Sequence, residues 1–197
     1  MKDLKGTRTL ANLMKAFAGE SQARNRYTIY AHAADGEGLK QIEALFLETA
    51  DNEAAHAKRF FDLMLEGLEE QTPAQIQVNA DYPVAFGKTM DNLKAAAAGE
   101  AAEWRTLYPE FAEVAASEGF AEVAAAFRLI SRVEEAHEKR FDRLVKNLEN
   151  GAVFRKNDRV FWKCRNCGYI HEGTAAPNSC PACLVGQGYF EVFVENY

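Results

Sequence analysis

The segment Glu53-Ala-Ala-His56-Ala-Lys-Arg-Phe60 returns later in the chain as Glu134-Glu-Ala-His137-Glu-Lys-Arg-Phe141. Both copies place polar residues where a helix should bury apolar ones. Around the second copy the stripe runs Val123, Phe127, Ile130, then Glu134 and His137, then Phe141, Leu144 and Leu148, in steps of three and four. Around the first it runs Ile42, Phe46, Thr49, then Glu53 and His56, then Phe60, Leu63 and Met64. A repeated interruption of the core, one Glu-x-x-His per helix, constrains the fold more than any bulk property does.

The periodicity predicts helices near 7–34, 38–67, 84–116 and 119–149. Asp35-Gly36 and Ser117-Glu118-Gly119 are short turns, so each half is an antiparallel hairpin, and Gly151 stands where a helix C-cap belongs. A longer polar segment bounded by Pro73 and Pro83 joins the halves, as in a ferritin-like four-helix bundle with one long crossover. After Gly151 the chain turns aromatic and β-branched, with short strands expected at Val160-Phe161-Trp162 and from Tyr189 to Val194. The expected domains are thus 1–150, the bundle, and 151–197, a small β module, in a mainly α protein.

The other two helices also turn glutamates inward. Glu20 follows Phe17 on the face that carries Leu10, Leu13 and Met14, Glu100 lies seven residues after Leu93, and Glu103 seven after Ala96. Five carboxylates in one apolar core would cost several kcal/mol each and repel one another, so cations are required. Two divalent ions bring four positive charges, and oxygen-rich ligation with one imidazole per metal suits iron or manganese. Glu-x-x-His sets both ligands on one helical face, so each motif clamps a metal while a glutamate bridges. A single such motif is usually a surface pair; two of them, matched by inward glutamates on both other helices, are not. Tyr27, seven residues after Glu20, and Tyr108, five after Glu103, are either hydrogen-bond donors to this site or ordinary core aromatics. His32 and His171 have no such company and read as surface residues.

Cys164-x-x-Cys167 and Cys180-x-x-Cys183 form two knuckles able to close a tetrahedral thiolate site around iron or zinc. Gly168-Tyr169 and Pro181 resemble rubredoxin, which favours iron. The net charge of -6, with both signs interspersed, argues against nucleic-acid and membrane-surface partners. The first residues lack a secretory apolar run, and no uncharged apolar stretch reaches the roughly 18 residues of a membrane span, so the expected compartment is the cytoplasm.

With both sites in view, the chain resembles the rubrerythrin family over essentially its whole length. The resemblance implies a di-iron centre held by Glu20, Glu53, Glu103, Glu134, His56 and His137, and an iron held by the four cysteines. It assigns Glu100, within Gly99-Glu100-x-x-Glu103-Trp104, to a carboxylate that exchanges with His56 as one iron changes oxidation state. It also implies reduction of hydrogen peroxide to water, with electrons taken from rubredoxin or an NAD(P)H-dependent reductase and relayed through the cysteine-bound iron. From His137 to the end of its helix is about 20 Å at the α-helical rise, so a head-to-tail homodimer is expected to pair one subunit's cysteine site with the other's di-iron site. The alternatives are a ferroxidase or iron-handling protein, and a metal-stabilised bundle carrying a zinc-ribbon interaction module. Pro109 falls inside the third predicted helix, where it must remove a backbone bond or kink the helix.

Overall fold

The computed structural model describes residues 2–68 and 74–196; Pro73 lies outside them. Helices α1 (Arg8–Gly36) and α2 (Lys40–Leu68) form one hairpin. Helices α3 (Thr89–Ala102) and α4 (Tyr108–Ser117), joined by a π-helical turn over Glu103–Leu107, pack on α5 (Ala121–Glu149) to form the other. The residues between the hairpins, 74–86, run without regular structure.

Local chemistry sets the boundaries. The Thr7 side chain accepts the Leu10 N–H to start α1. The first turn falls at Gly38 (φ +72°), so α1 runs through Asp35-Gly36, where the sequence predicted the break. The third helix begins at Thr89, five residues later than expected. The Asn92 side chain bonds both the N–H (2.8 Å) and the C=O (3.0 Å) of Gly87, which holds 83–87 out of the helix.

The Tyr108 N–H bonds the Glu103 carbonyl, five residues back, and Pro109 has no N–H to offer. The Trp104 carbonyl is thereby left without its helical donor, and the Ser131 hydroxyl of α5 donates to it at 3.1 Å. The two halves of the bundle also differ by one residue: Glu20 to His56 spans 36 positions and Glu100 to His137 spans 37. The π-turn accommodates the extra one.

Two apolar layers flank the carboxylates. One contains Leu13, Phe60, Tyr108 and Phe127; the other contains Tyr27, Phe46, Leu93 and Phe141. Full burial of each large side chain contributes about 1.5–3 kcal/mol, enough to offset a polar seam between the layers. The C-terminal module is a three-stranded antiparallel sheet in the order β2-β1-β3, from β1 (Arg155–Cys164), β2 (Ile170–Ala175) and β3 (Phe190–Val192). The fully buried Trp162 is its core and donates to the Gly173 carbonyl at 3.0 Å. The module rests on the α1–α2 turn, with Gly188 against Gly38 and the Lys40 ammonium 5.4 Å from the centre of the Tyr189 ring.

Candidate metal centres

The carboxylates and imidazoles converge as two groups that share two members. Glu20, Glu53, His56 and Glu134 form one; Glu53, Glu100, Glu134 and His137 form the other. The sharing is atom by atom. Glu53 presents Oε2 to His56 Nδ1 at 2.9 Å and Oε1 to His137 Nδ1 at 3.2 Å. Glu134 presents Oε1 to His56 Nδ1 at 3.0 Å and Oε2 to His137 Nδ1 at 2.8 Å. Glu20 Oε2 closes the His56 end at 3.6 Å, and Glu100 Oε2 the His137 end at 3.7 Å. Both imidazoles face inward, their ring centres 6.1 Å apart.

This arrangement is unstable as a protein-only core. Glu20, Glu53, Glu100 and Glu134 are all at most 1% exposed. Buried oxygens on each of them, and His137 Nδ1, have no hydrogen-bond partner among the described residues. Burial raises the Glu20 carboxyl well above the usual range, with repulsion from Glu134 and Glu53 adding to it. Burial likewise pushes Glu100 up to about 8. Burial opposes a charge on His137, yet Glu100, Glu134 and Glu53 push its imidazolium up to about 11, and the same opposition leaves His56 raised by Glu134, Glu20 and Glu53. Glu53 goes the other way: burial would raise it, but His137 and His56 hold it down at about 2. Protons on these carboxyls and imidazoles thus offset the negative charge in the metal-free centre. Orphaned oxygens converging from four helices, with one imidazole at each end, fit two divalent cations bridged by Glu53 and Glu134.

Glu103 stands apart from both groups. Its carboxyl is raised by burial and then, most strongly among its neighbours, by Glu20. Its Oε1 comes within 4.0 Å of where a Cβ on Gly19 would sit, next to Glu20 and so toward the His56 side, while Glu100 Oε2 belongs to the His137 side. This corrects the sequence reading, in which Glu100 exchanges with His56. The helical rise explains the difference: α3 advances from the His137 end toward the His56 end, and Glu103 comes one turn after Glu100. Glu103 also borders a cavity of about 750 Å³ between α1, α3 and residues 79–83.

Both tyrosines are hydrogen-bond donors. Tyr27 of α1 donates to Glu100 Oε1, and Tyr108 of α4 donates to Glu20 Oε1, each bond crossing to the other hairpin. Sequence reasoning missed Asn52, whose Oδ1 lies 3.3 Å from His137 Nε2. It also missed the buried Glu138, which accepts from Trp104 Nε1 at 2.6 Å and Arg105 Nη2 at 2.8 Å and so ties the π-turn to α5. Neither interrupts an apolar stripe in a way the pattern can register. His32 is exposed and His171 half-buried.

In the C-terminal module the four sulfurs form a closed group, with Cys164 to Cys183 at 3.8 Å and Cys167 to Cys180 at 3.6 Å, and none is in a disulfide. The Asn166 side chain and the Val185 N–H pull the Cys183 thiol down to about 6. Such donors stabilise thiolate charge beside a metal.

A ferritin-like bundle around a di-iron carboxylate site, joined to a rubredoxin-like four-cysteine site, defines a class of non-haem iron redox proteins. The family model described as Rubrerythrin matches residues 11–145, and that described as Rubrerythrin, rubredoxin-like domain matches 162–191. The chain belongs to the rubrerythrin family. It is 58% identical to rubrerythrin-1 of Clostridium acetobutylicum and 55% identical to rubrerythrin of Clostridium perfringens, each over 198 residues and 100% of both chains. Among solved structures it is similar to nigerythrin in a partially reduced state, with a TM-score of 0.63 at 28% identity, covering 98% of this chain and 92% of that one. Among the described residues, no helix is long and apolar enough to cross a membrane.

Proposed function

We propose that the chain is a peroxidase that reduces hydrogen peroxide to water in the reducing cytoplasm. The observation that carries this reading is the two-sided centre, in which Glu53 and Glu134 each give one oxygen to the His56 end and one to the His137 end. Two ferrous ions held there would supply the two electrons that reduction of an O–O bond requires. Glu53 and Glu134 hold the two positions side by side, Glu20 and His56 complete one, and Glu100 and His137 complete the other. Tyr27 and Tyr108 fix the outer carboxylates through their hydroxyls, while the aromatic layers above and below keep bulk water out. Glu103, beside Glu20, supplies a reserve oxygen donor on the His56 side. The balanced reaction takes up two protons and two electrons per peroxide and yields two waters.

The cysteine module returns electrons singly, taken from rubredoxin or an NAD(P)H-dependent reductase. Within one chain it sits at the α1–α2 turn, and Glu53 lies 13 residues along α2 from Lys40, about 20 Å at the helical rise. That separation favours a head-to-tail homodimer, in which the partner's module serves this centre. Mixing subunits that lack the cysteines with subunits that lack Glu53 tests it: restored turnover is expected, and none contradicts the dimer.

Rapid mixing of the diferrous chain with peroxide or with oxygen tests the activity. Faster oxidation by peroxide, followed by turnover that needs an electron donor, is expected. Oxidation no faster than by oxygen, with a ferric mineral formed and no donor required, would make it a ferroxidase.

A further inference from the structure

The two halves of the centre repeat each other, so a contact present in one half and missing from the other is informative. His137 is backed by Asn52, the residue just before Glu53 in the first repeat, with Oδ1 at 3.3 Å from Nε2. An Oδ1 acceptor selects the tautomer that carries its proton on Nε2. When a cation displaces the Nδ1 proton, the Nε2 proton stays with Asn52 and the Nδ1 lone pair is left aimed at the space shared with Glu53, Glu100 and Glu134. The equivalent residue in the second repeat, just before Glu134, is Val133. It has no acceptor to offer and is 38% exposed, and the hydrogen bond of the His56 ring runs from Nδ1 to Glu53 at 2.9 Å, on the inner side. The His56 side chain is also the more open of the two, 12% exposed against 5% for His137.

We propose that Asn52 is a positioning residue that locks His137 as a metal ligand, and that Val133 in the matching place leaves His56 free to let its metal go first. The inference rests on the two-metal reading of the bundle and not on which oxidant it reduces. Metal-ligating imidazoles held by an outer acceptor bind about 10–100-fold more tightly than those without one. The His137 position is accordingly the slow-exchanging one and the His56 position the fast one.

The test uses the full chain loaded with Co(II). Thiolate-to-cobalt charge-transfer bands report the cysteine site, and the weaker d–d bands of oxygen- and nitrogen-ligated cobalt report the bundle. Challenge with excess chelator is expected to empty the bundle in a fast and a slow phase. Asn52→Val should speed the slow phase about 10–100-fold, while Asn52→Asp, which keeps the acceptor, should preserve it. Val133→Asn should slow the fast phase and keeps the test alive if Asn52→Val fails to fold. A slow phase unchanged in Asn52→Val, lost equally in Asn52→Asp, or a fast phase unmoved in Val133→Asn overturns the proposal. A bundle that takes up no cobalt refutes the two-metal reading itself.

Discussion

Tyr108 donates its hydroxyl across the bundle to Glu20, from the first residue after the π-turn to the carboxylate at the His56 end of the centre. Five residues of α-helix would turn Tyr108 well away from the face that carries Glu103; the wider π-turn brings the two onto one side. Removing the hydroxyl leaves Glu20 Oε1 buried without its donor. Tyr108→Phe should therefore destabilise the metal-loaded chain by about 1–3 kcal/mol with helical content intact. Chemical denaturation followed by circular dichroism measures it, and an unchanged midpoint would contradict the assignment.

Ser131 and Pro109 form a coupled pair through the Trp104 carbonyl. With proline in place, Ser131→Ala leaves that carbonyl unpaired at a cost of about 1–2 kcal/mol. In a Pro109→Ala background a backbone N–H is available again, so the same change should cost less than half as much. A double-mutant cycle reads the difference. Equal costs in both backgrounds would mean that the serine does not substitute for the missing amide.

Metal uptake should release protons. In the metal-free centre Glu20 and Glu103 are raised, Glu100 stands at about 8 and His137 at about 11, so several groups carry protons at neutral pH. Cations must displace them, and apparent affinity should climb as the pH rises through about 8 and onward toward about 11. Calorimetry in two buffers of different ionisation enthalpy counts the protons; none released would contradict the electrostatic picture.

Glu118, in the α4–α5 turn, accepts from the Thr9 hydroxyl (2.6 Å), the Thr9 N–H (2.9 Å) and the Arg8 N–H (3.3 Å), capping α1 from the other hairpin. The Thr9 hydroxyl and these amides hold its carboxyl at about 2, against 4.5 for a free one. Because the folded value is the lower, the stabilisation is complete above pH 4.5 and disappears as pH falls toward 2. Glu118→Gln should lower the melting temperature at neutral pH, and the gap from the unaltered chain should close on acidification through that window. A gap that widens would reverse the sign of the argument.

Gly188 has no room for a side chain, since a Cβ there would lie 2.0 Å from the Gly38 carbonyl oxygen. Gly188→Ala should detach the C-terminal module from the α1–α2 turn while leaving the cysteine site folded. Faster proteolysis near Gly151 with unchanged thiolate-to-metal absorption is the expected result. Unchanged cleavage would show that the contact does not hold the module.

Much of this was legible because metal ligands break a pattern. Glu53, His56, Glu134 and His137 interrupt apolar stripes twice in the same way, and the cysteine knuckles declare themselves by spacing. Which carboxylate goes with which histidine was not legible, because stripe positions do not encode depth along the bundle axis; the pairing of Glu100 with His137 depends on how α3 is threaded. The start of α3 was misplaced because the Asn92 bonds to Gly87 compete with helix in a way periodicity ignores. The one-residue difference between the halves was visible in the sequence, but its outcome, a π-turn closed by Ser131, required the neighbouring helix.

Iron-edge anomalous diffraction from the iron-loaded protein tests the central claim most directly. The expected map has two peaks within the bundle, both in reach of Glu53 and Glu134, one beside His56 and the other beside His137, and a third among the four cysteines. A bundle with a single peak or none, its glutamates turned toward water, would contradict it.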